Sequence, residues 1–120
     1  MRTPIVAFER FDVVVVPFPF TDRTTTKRRP ALVLSDAGVF NRRAGHSVLA
    51  MITSARHSDW PLDAAITDLD SAGLPAPSVV RMKLFTLADQ FVIRQAGILA
   101  GPDQQTVSDR LGRLLGMEMS

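Results

Sequence analysis

Phe11-Asp12-Val13-Val14-Val15-Val16-Pro17-Phe18-Pro19-Phe20, followed across a polar stretch by Lys27-Arg28-Arg29-Pro30-Ala31-Leu32-Val33-Leu34-Ser35, decides the architecture of this chain. Asp12 to Pro17 is β-branched almost throughout and has no 3.6-residue period, so it reads as a strand buried on both faces. Pro17 and Pro19 are expected to end its pairing. Thr21 to Arg29 carries hydroxyls and charges with no apolar residue, the pattern of an exposed loop. Pro30 is expected to open a second strand, because a missing N–H costs little at a first position, and Ala31 to Leu34 continue it. Lys27, Arg28 and Arg29 are thereby delivered to the mouth of a buried strand. Cations fixed between two strands suit a polyanion, and a planar guanidinium suits a phosphate, so a nucleic acid is the first partner class to consider.

Working outward, Asp36 to Gly45 reads as an irregular connection with one helical turn, and Ser47 to Ile52 as a third strand closed by Thr53-Ser54. Asp63 to Ile66 is a weak fourth strand, after which Gly73, Pro75 and Pro77 enforce a loop. Ser78 to Met82 and Phe91 to Gln95 supply two more strands, with Thr86 to Gln90 as a turn or short helical piece. Pro102 suits the first turn of a helix whose apolar stripe is Val107, Leu111, Leu114 and Leu115. Short strands with turns between them and one terminal helix predict a mainly β fold, a small, strongly bent barrel. A βαβ architecture would need helices between strands.

At 120 residues the chain is expected to form one domain, residues 1–120. No apolar run is long enough to span a bilayer, and Pro4, Glu9 and Arg10 interrupt the N-terminal apolar residues, which argues against a signal peptide. With no cysteine there is neither a disulfide framework nor a thiolate metal site, and the cytoplasm is the expected location. The net charge is +2, but Arg23, Lys27, Arg28, Arg29, Arg42, Arg43 and Arg56 cluster in sequence against a single acid, Asp36. Charge alone leaves a nucleic-acid face and a solvated loop surface equally open.

His46 and His57 have no ligand spacing, Gly97 to Gly101 lacks the Lys-Ser/Thr of a phosphate loop, and no serine-hydrolase elbow occurs. What remains is a site of arginine, hydroxyls and histidine, with no cofactor expected. RNA cleavage by its own 2′-hydroxyl suits such a site, since the nucleophile already lies beside the phosphorus. Arg29 at a strand mouth and Thr53 at a strand end would converge on one phosphate if the second and third strands were neighbours. Taken singly, Arg29 reads as a solvated strand-start residue, Thr53 as a backbone cap, His57 as a loop histidine and Arg81 as the partner of an acid. Trp60, the only tryptophan, is expected to cover the core rather than stack on a base.

Asp12-Val13-Val14-Val15-Val16-Pro17-Phe18, Arg29-Pro30-Ala31-Leu32-Val33-Leu34, Ile52-Thr53-Ser54 and Ser78-Val79-Val80-Arg81 together resemble the MazF/PemK toxins of bacterial toxin–antitoxin pairs, in order and spacing. The resemblance implies an SH3-like small β-barrel of the CcdB/MazF/PemK type with a C-terminal helix. It implies a homodimer that cuts single-stranded RNA without metal, leaving a 2′,3′-cyclic phosphate and a 5′-hydroxyl. A cognate antitoxin would silence it by filling the RNA groove, and DNA would be bound only through the antitoxin complex. Arg29 and Thr53 match the family's catalytic positions, and Arg81 its Val-Val-Arg arginine. Lys27, Arg28, Arg56, His57, Arg81 and Lys83 are expected to bind RNA. Lys83 stands where PemK-like members carry an aspartate proposed as the base, which leaves His57 and Asp22 as candidates for that role. Phe11 replaces the family's usual glycine before the first strand's acid. The same fold also serves gyrase poisons, which rely on a tryptophan-containing tail, whereas this chain ends Gly116-Met117-Glu118-Met119-Ser120. A catalytically impaired RNA-binding homologue is the third reading, motivated by Lys83.

Overall fold

The computed structural model describes residues 7–18, 27–57 and 59–117. Six antiparallel strands, β1 (Asp12–Phe18), β2 (Lys27–Val33), β3 (His46–Ser54), β4 (Ala64–Ala65), β5 (Ser78–Ala88) and β6 (Arg94–Ile98), form one sheet in the order β4-β5-β3-β2-β1-β6. The sheet curls into a half-barrel whose edges are β4 and β6. A π-helical segment, Ala37–Asn41, runs into the single turn α1 (Arg42–Ala44), and α2 (Leu69–Ala72) is a second short turn. A 3₁₀ turn, Asp89–Phe91, leads to β6, and α3 (Gly101–Leu114) is the long helix at the C-terminal end.

The strand core matches the apolar runs that predict it. Val13, Val14 and Val16 are fully buried, as are Ala31, Leu32 and Val33, so β1 and β2 are indeed covered on both faces. One face carries the larger cluster, with Val13, Leu32, Ile52, Val80, Leu99 and Val107 under α3 and the β4–α2 region. The other carries a smaller cluster of Val14, Val16, Ala31, Val33, Leu49 and Leu87. Gly97 permits the sheet edge to meet α2 closely, because a Cβ there would lie 2.3 Å from the carbonyl oxygen of Ser71.

Several boundaries differ from expectation for identifiable reasons. Pro17 does not end pairing: it lies opposite Arg28, and Phe18 lies opposite Lys27. β1 meets β6 only as far as Val15↔Arg94, so beyond that point a proline sits on an open edge where no donor is required. Pro30 likewise lies inside β2 rather than at its start, since the ladder to β3 begins only at Ala31. Lys27, Arg28 and Arg29 therefore belong to a strand and not to the loop expected over Thr21 to Arg29, of which 21–26 lie outside the described residues. Thr53 and Ser54 continue β3, paired with Val79 and Ser78, instead of closing it. β5 runs on through Thr86 to Ala88, and the last strand begins at Arg94 rather than Phe91. Leu114 and Leu115 do not complete the buried stripe of α3, being 41% and 59% exposed. Phe11 has φ 75° in the left-handed region, the conformation a glycine adopts without steric cost. Its ring packs against the larger core cluster, which offsets that strain.

Candidate nucleic-acid interface

At the open end of the smaller cluster lies a groove of ≈ 360 Å³ whose polar lining comes from Arg29, Thr53, His57, Arg81 and Lys83. Phe18, Met51 and Phe85 give it apolar walls on which a base can rest. Strand register explains the convergence. β2 and β3 are neighbours, with Ala31 opposite Met51, and continuing that register two residues toward the groove sets Arg29 opposite Thr53. Met51 in turn lies opposite Arg81 on β5, so the three strands bring Arg29, Thr53 and Arg81 to one face.

A bulge aims Lys83. On β3, Ala50 and Met51 are adjacent, but their partners on β5 are Leu84 and Arg81, which leaves Met82 and Lys83 without an opposite residue. The extra residues break the alternation: Met82 stays buried while Lys83 and Leu84 both face outward. Without the bulge, strict alternation would turn one of these two inward.

The cations differ in how they are held. Arg81 forms a two-point pair with Asp63, Nη2 to Oδ2 at 2.8 Å and Nε to Oδ1 at 3.2 Å, with side chains only 11% and 20% exposed. Its pKa is raised, chiefly by that hydrogen bond with Asp63. Continuing the β4–β5 register one residue beyond Ala64↔Val80 explains the pair, since it sets Asp63 opposite Arg81. Arg29 and Lys83 have no acidic partner among the described residues. Trp60 lies beside the groove wall, with the Lys83 Nζ 4.4 Å from its ring centroid and the Arg81 guanidinium carbon at 5.9 Å. Asp63 and Trp60 are the members of this constellation that sequence reasoning did not assign to the site. The legible signal for Asp63 was an acid at the head of a weak strand, which becomes a partner of Arg81 only once that strand pairs with β5.

The other expected RNA-binding residues are dispersed. Lys27 and Arg56 are exposed outside the groove lining. Arg28 alternates to the opposite face of β2 and, with Arg29 and Arg94, lines a cavity of ≈ 250 Å³ beside Leu74 and Pro75. Arg42 is at the far end of β2, paired with Glu9 at 3.2 Å. The basic stretch is therefore not one continuous face. A wider depression of ≈ 950 Å³ near the start of α3 is lined by Phe11, Gln105 and Asp109 among others, and Arg10 reaches its edge, over the Phe11 ring and 3.4 Å from Ser108 Oγ. Among the described residues no group of three His, Asp or Glu is placed to hold a metal ion, and no helix is long and apolar enough to cross a membrane.

The fold is thus a small curled β-sheet with a terminal helix and a cation-lined groove at the mouth of β2 and β3. A family model for the PemK-like, MazF-like toxins of type II toxin–antitoxin systems matches residues 9–115, and the chain belongs to that family. Among solved structures, MazF from Deinococcus radiodurans is 25% identical, with 94% of this chain and all of that one covered and a TM-score of 0.72. An endoribonuclease in complex with its cognate antitoxin from Mycobacterial species shares the fold at 18% identity, covering 97% of this chain and 100% of that one, with a TM-score of 0.75. The Mycobacterium tuberculosis toxin MazF-mt6 does so at 19% identity, covering 90% and 99%, with a TM-score of 0.71. A search of curated protein sequences found no match.

Proposed function

We propose that the groove binds single-stranded RNA and cleaves it at selected sequences without a metal ion, as the toxin of a toxin–antitoxin pair. The observation that carries this reading is that Arg29, Thr53, Arg81 and Lys83 line one groove, on three neighbouring strands. In the reaction the 2′ oxygen attacks phosphorus and the bond to the 5′ oxygen breaks, giving a 2′,3′-cyclic phosphate and a 5′-hydroxyl. One proton leaves the 2′-hydroxyl and one reaches the departing oxygen.

Arg29 supplies fixed positive charge to the phosphate oxygens; a guanidinium that does not deprotonate gives charge rather than a proton. The Thr53 hydroxyl donates to a phosphate oxygen. His57 is the candidate proton carrier, because an imidazole can both accept and return a proton and this one lines the same groove. Asp63 is unsuited to that role, with both carboxylate oxygens engaged by Arg81. Lys83 holds phosphate, as do Lys27, Arg28 and Arg56 along the RNA outside the groove. The acting form is a homodimer in the cytoplasm. A cognate antitoxin silences it by occupying the groove, and DNA is contacted only through that complex.

Purified protein should cut a mixed-sequence single-stranded RNA in the presence of EDTA, and Arg29→Ala should stop it. Intact RNA with the wild-type, antitoxin-free protein would refute the reading.

A further inference from the structure

Trp60 is not a core residue. It belongs to neither apolar cluster and is 41% exposed, although a lone tryptophan is most simply used to cover a core. Its place is held from two directions. The Trp60 backbone N–H donates to Asp63 Oδ2 at 3.3 Å, and the Asp63 backbone N–H donates back to the Trp60 carbonyl at 3.2 Å. Asp63 is itself fastened to Arg81 in the groove wall, so one carboxylate ties the tryptophan loop to the groove. The Lys83 ammonium then lies over the ring at 4.4 Å. With the Arg81 guanidinium carbon at 5.9 Å as well, the ring lies beside two cations and still leaves aromatic surface exposed.

We infer that Trp60 is a stacking platform for one nucleobase of the bound RNA, with Lys83 holding the phosphate of the same or the adjoining nucleotide. The inference rests on the RNA-binding reading of the groove and names a subsite of it. The occupant is a base because the feature left open is a π-face, and bases stack on aromatic rings whatever their identity. The backbone lies on the groove side because the cations do. Asp63 acts as a positioning residue: it touches no RNA but orders the ring before RNA arrives, which lowers the entropic cost of stacking.

Trp60 is the chain's only tryptophan and there is no tyrosine, so its fluorescence reports this subsite directly. The probe is a randomised pool of short single-stranded RNA carrying 2′-fluoro riboses, which lack the attacking hydroxyl. Binding should quench the emission, whereas a backbone-matched abasic oligonucleotide should bind more weakly and leave it unchanged. By an independent binding measurement, Trp60→Leu should weaken affinity for the base-containing pool about 5- to 150-fold, and Trp60→Phe, which keeps a π-face, should recover most of it. RNA that binds wild type tightly with unaltered emission, or binds Trp60→Leu as tightly as wild type, overturns the platform while leaving the groove reading intact. Wild type that binds neither probe overturns the groove reading itself, and the platform with it.

Discussion

In the first turn of α3, Asp103 is 2% exposed and its carboxylate accepts from the Thr67 N–H at 3.0 Å, the Thr67 hydroxyl at 2.7 Å and the Asp68 N–H at 3.1 Å. On the groove face, Arg29 and Lys83 meet no acid among the described residues. Asn41 behaves like Asp103: fully buried, it donates to the Phe8 and Ser35 carbonyls at 2.7 and 3.0 Å and accepts from the Ser35 hydroxyl. Asp103 and Asn41 thus have hydrogen bonds supplied by the chain, as burial demands. Arg29 and Lys83, at the groove, are not paired with an acid in that way among the described residues. Asp63 and Arg81 stand between the two kinds, satisfied by each other yet part of the groove wall.

Substitutions on either side should separate accordingly. Arg29→Ala is expected to have the largest effect, lowering RNA cleavage roughly a hundred- to a thousandfold, about 2.7–4 kcal/mol of transition-state stabilisation. Its thermal midpoint should stay at the wild-type value, because an exposed side chain with no acidic partner among the described residues contributes little to stability. Asp103→Ala should do the reverse. Urea unfolding should show a loss of about 2–3 kcal/mol, since three charge-assisted bonds vanish and the exposed Thr67 and Asp68 recover part of them from water. Cleavage per folded molecule should be unaffected. Asp63→Asn should cross the divide, with a smaller fall in urea midpoint than Asp103→Ala, together with weaker RNA binding as Arg81 and the Trp60 loop lose their shared anchor.

The smallest effect belongs to Asp12. It is buried at the start of β1, and burial, reinforced by the nearby Glu9 charge, raises its pKa against the lowering effect of the Glu9 N–H that donates to it at 2.8 Å. The folded state therefore holds the proton more tightly than the unfolded chain does. Stability from this group is fully present below the ordinary carboxylate range and is lost as pH rises through the raised value. Asp12→Asn keeps an acceptor for Glu9 and removes the charge. It should be slightly more stable than wild type at neutral pH, with the gap closing on acidification when urea midpoints are compared across pH.

β1 and β2 were legible because a β-branched run without helical period has few alternatives, and both are covered on two faces as that pattern requires. The errors at Pro17 and Pro30 share one cause. A proline ends a strand only where its missing donor is needed, and that depends on which neighbour lies beside it. The length of β5 escaped reading because its bulge at Met82 and Lys83 breaks the alternation that a strand is recognised by. In the groove, Arg29 and Thr53 were visible as residue types at strand ends, and their meeting depended only on β2 lying beside β3. Asp63 and Trp60 were not visible in that way. Their roles arise from the pairing of a two-residue strand with β5 and from the outward turn of Lys83, neither of which leaves a local mark in the sequence.

The role proposed for Arg29 and Lys83, which meet no acid among the described residues, is RNA cleavage. It is tested most directly by mapping the 5′ ends of cellular RNA after brief induction of the protein. New 5′-hydroxyl ends recurring at a short common sequence are expected with wild type and should be absent with Arg29→Ala. An unchanged pattern of ends on induction of wild type, or the same new ends with Arg29→Ala, would contradict that role.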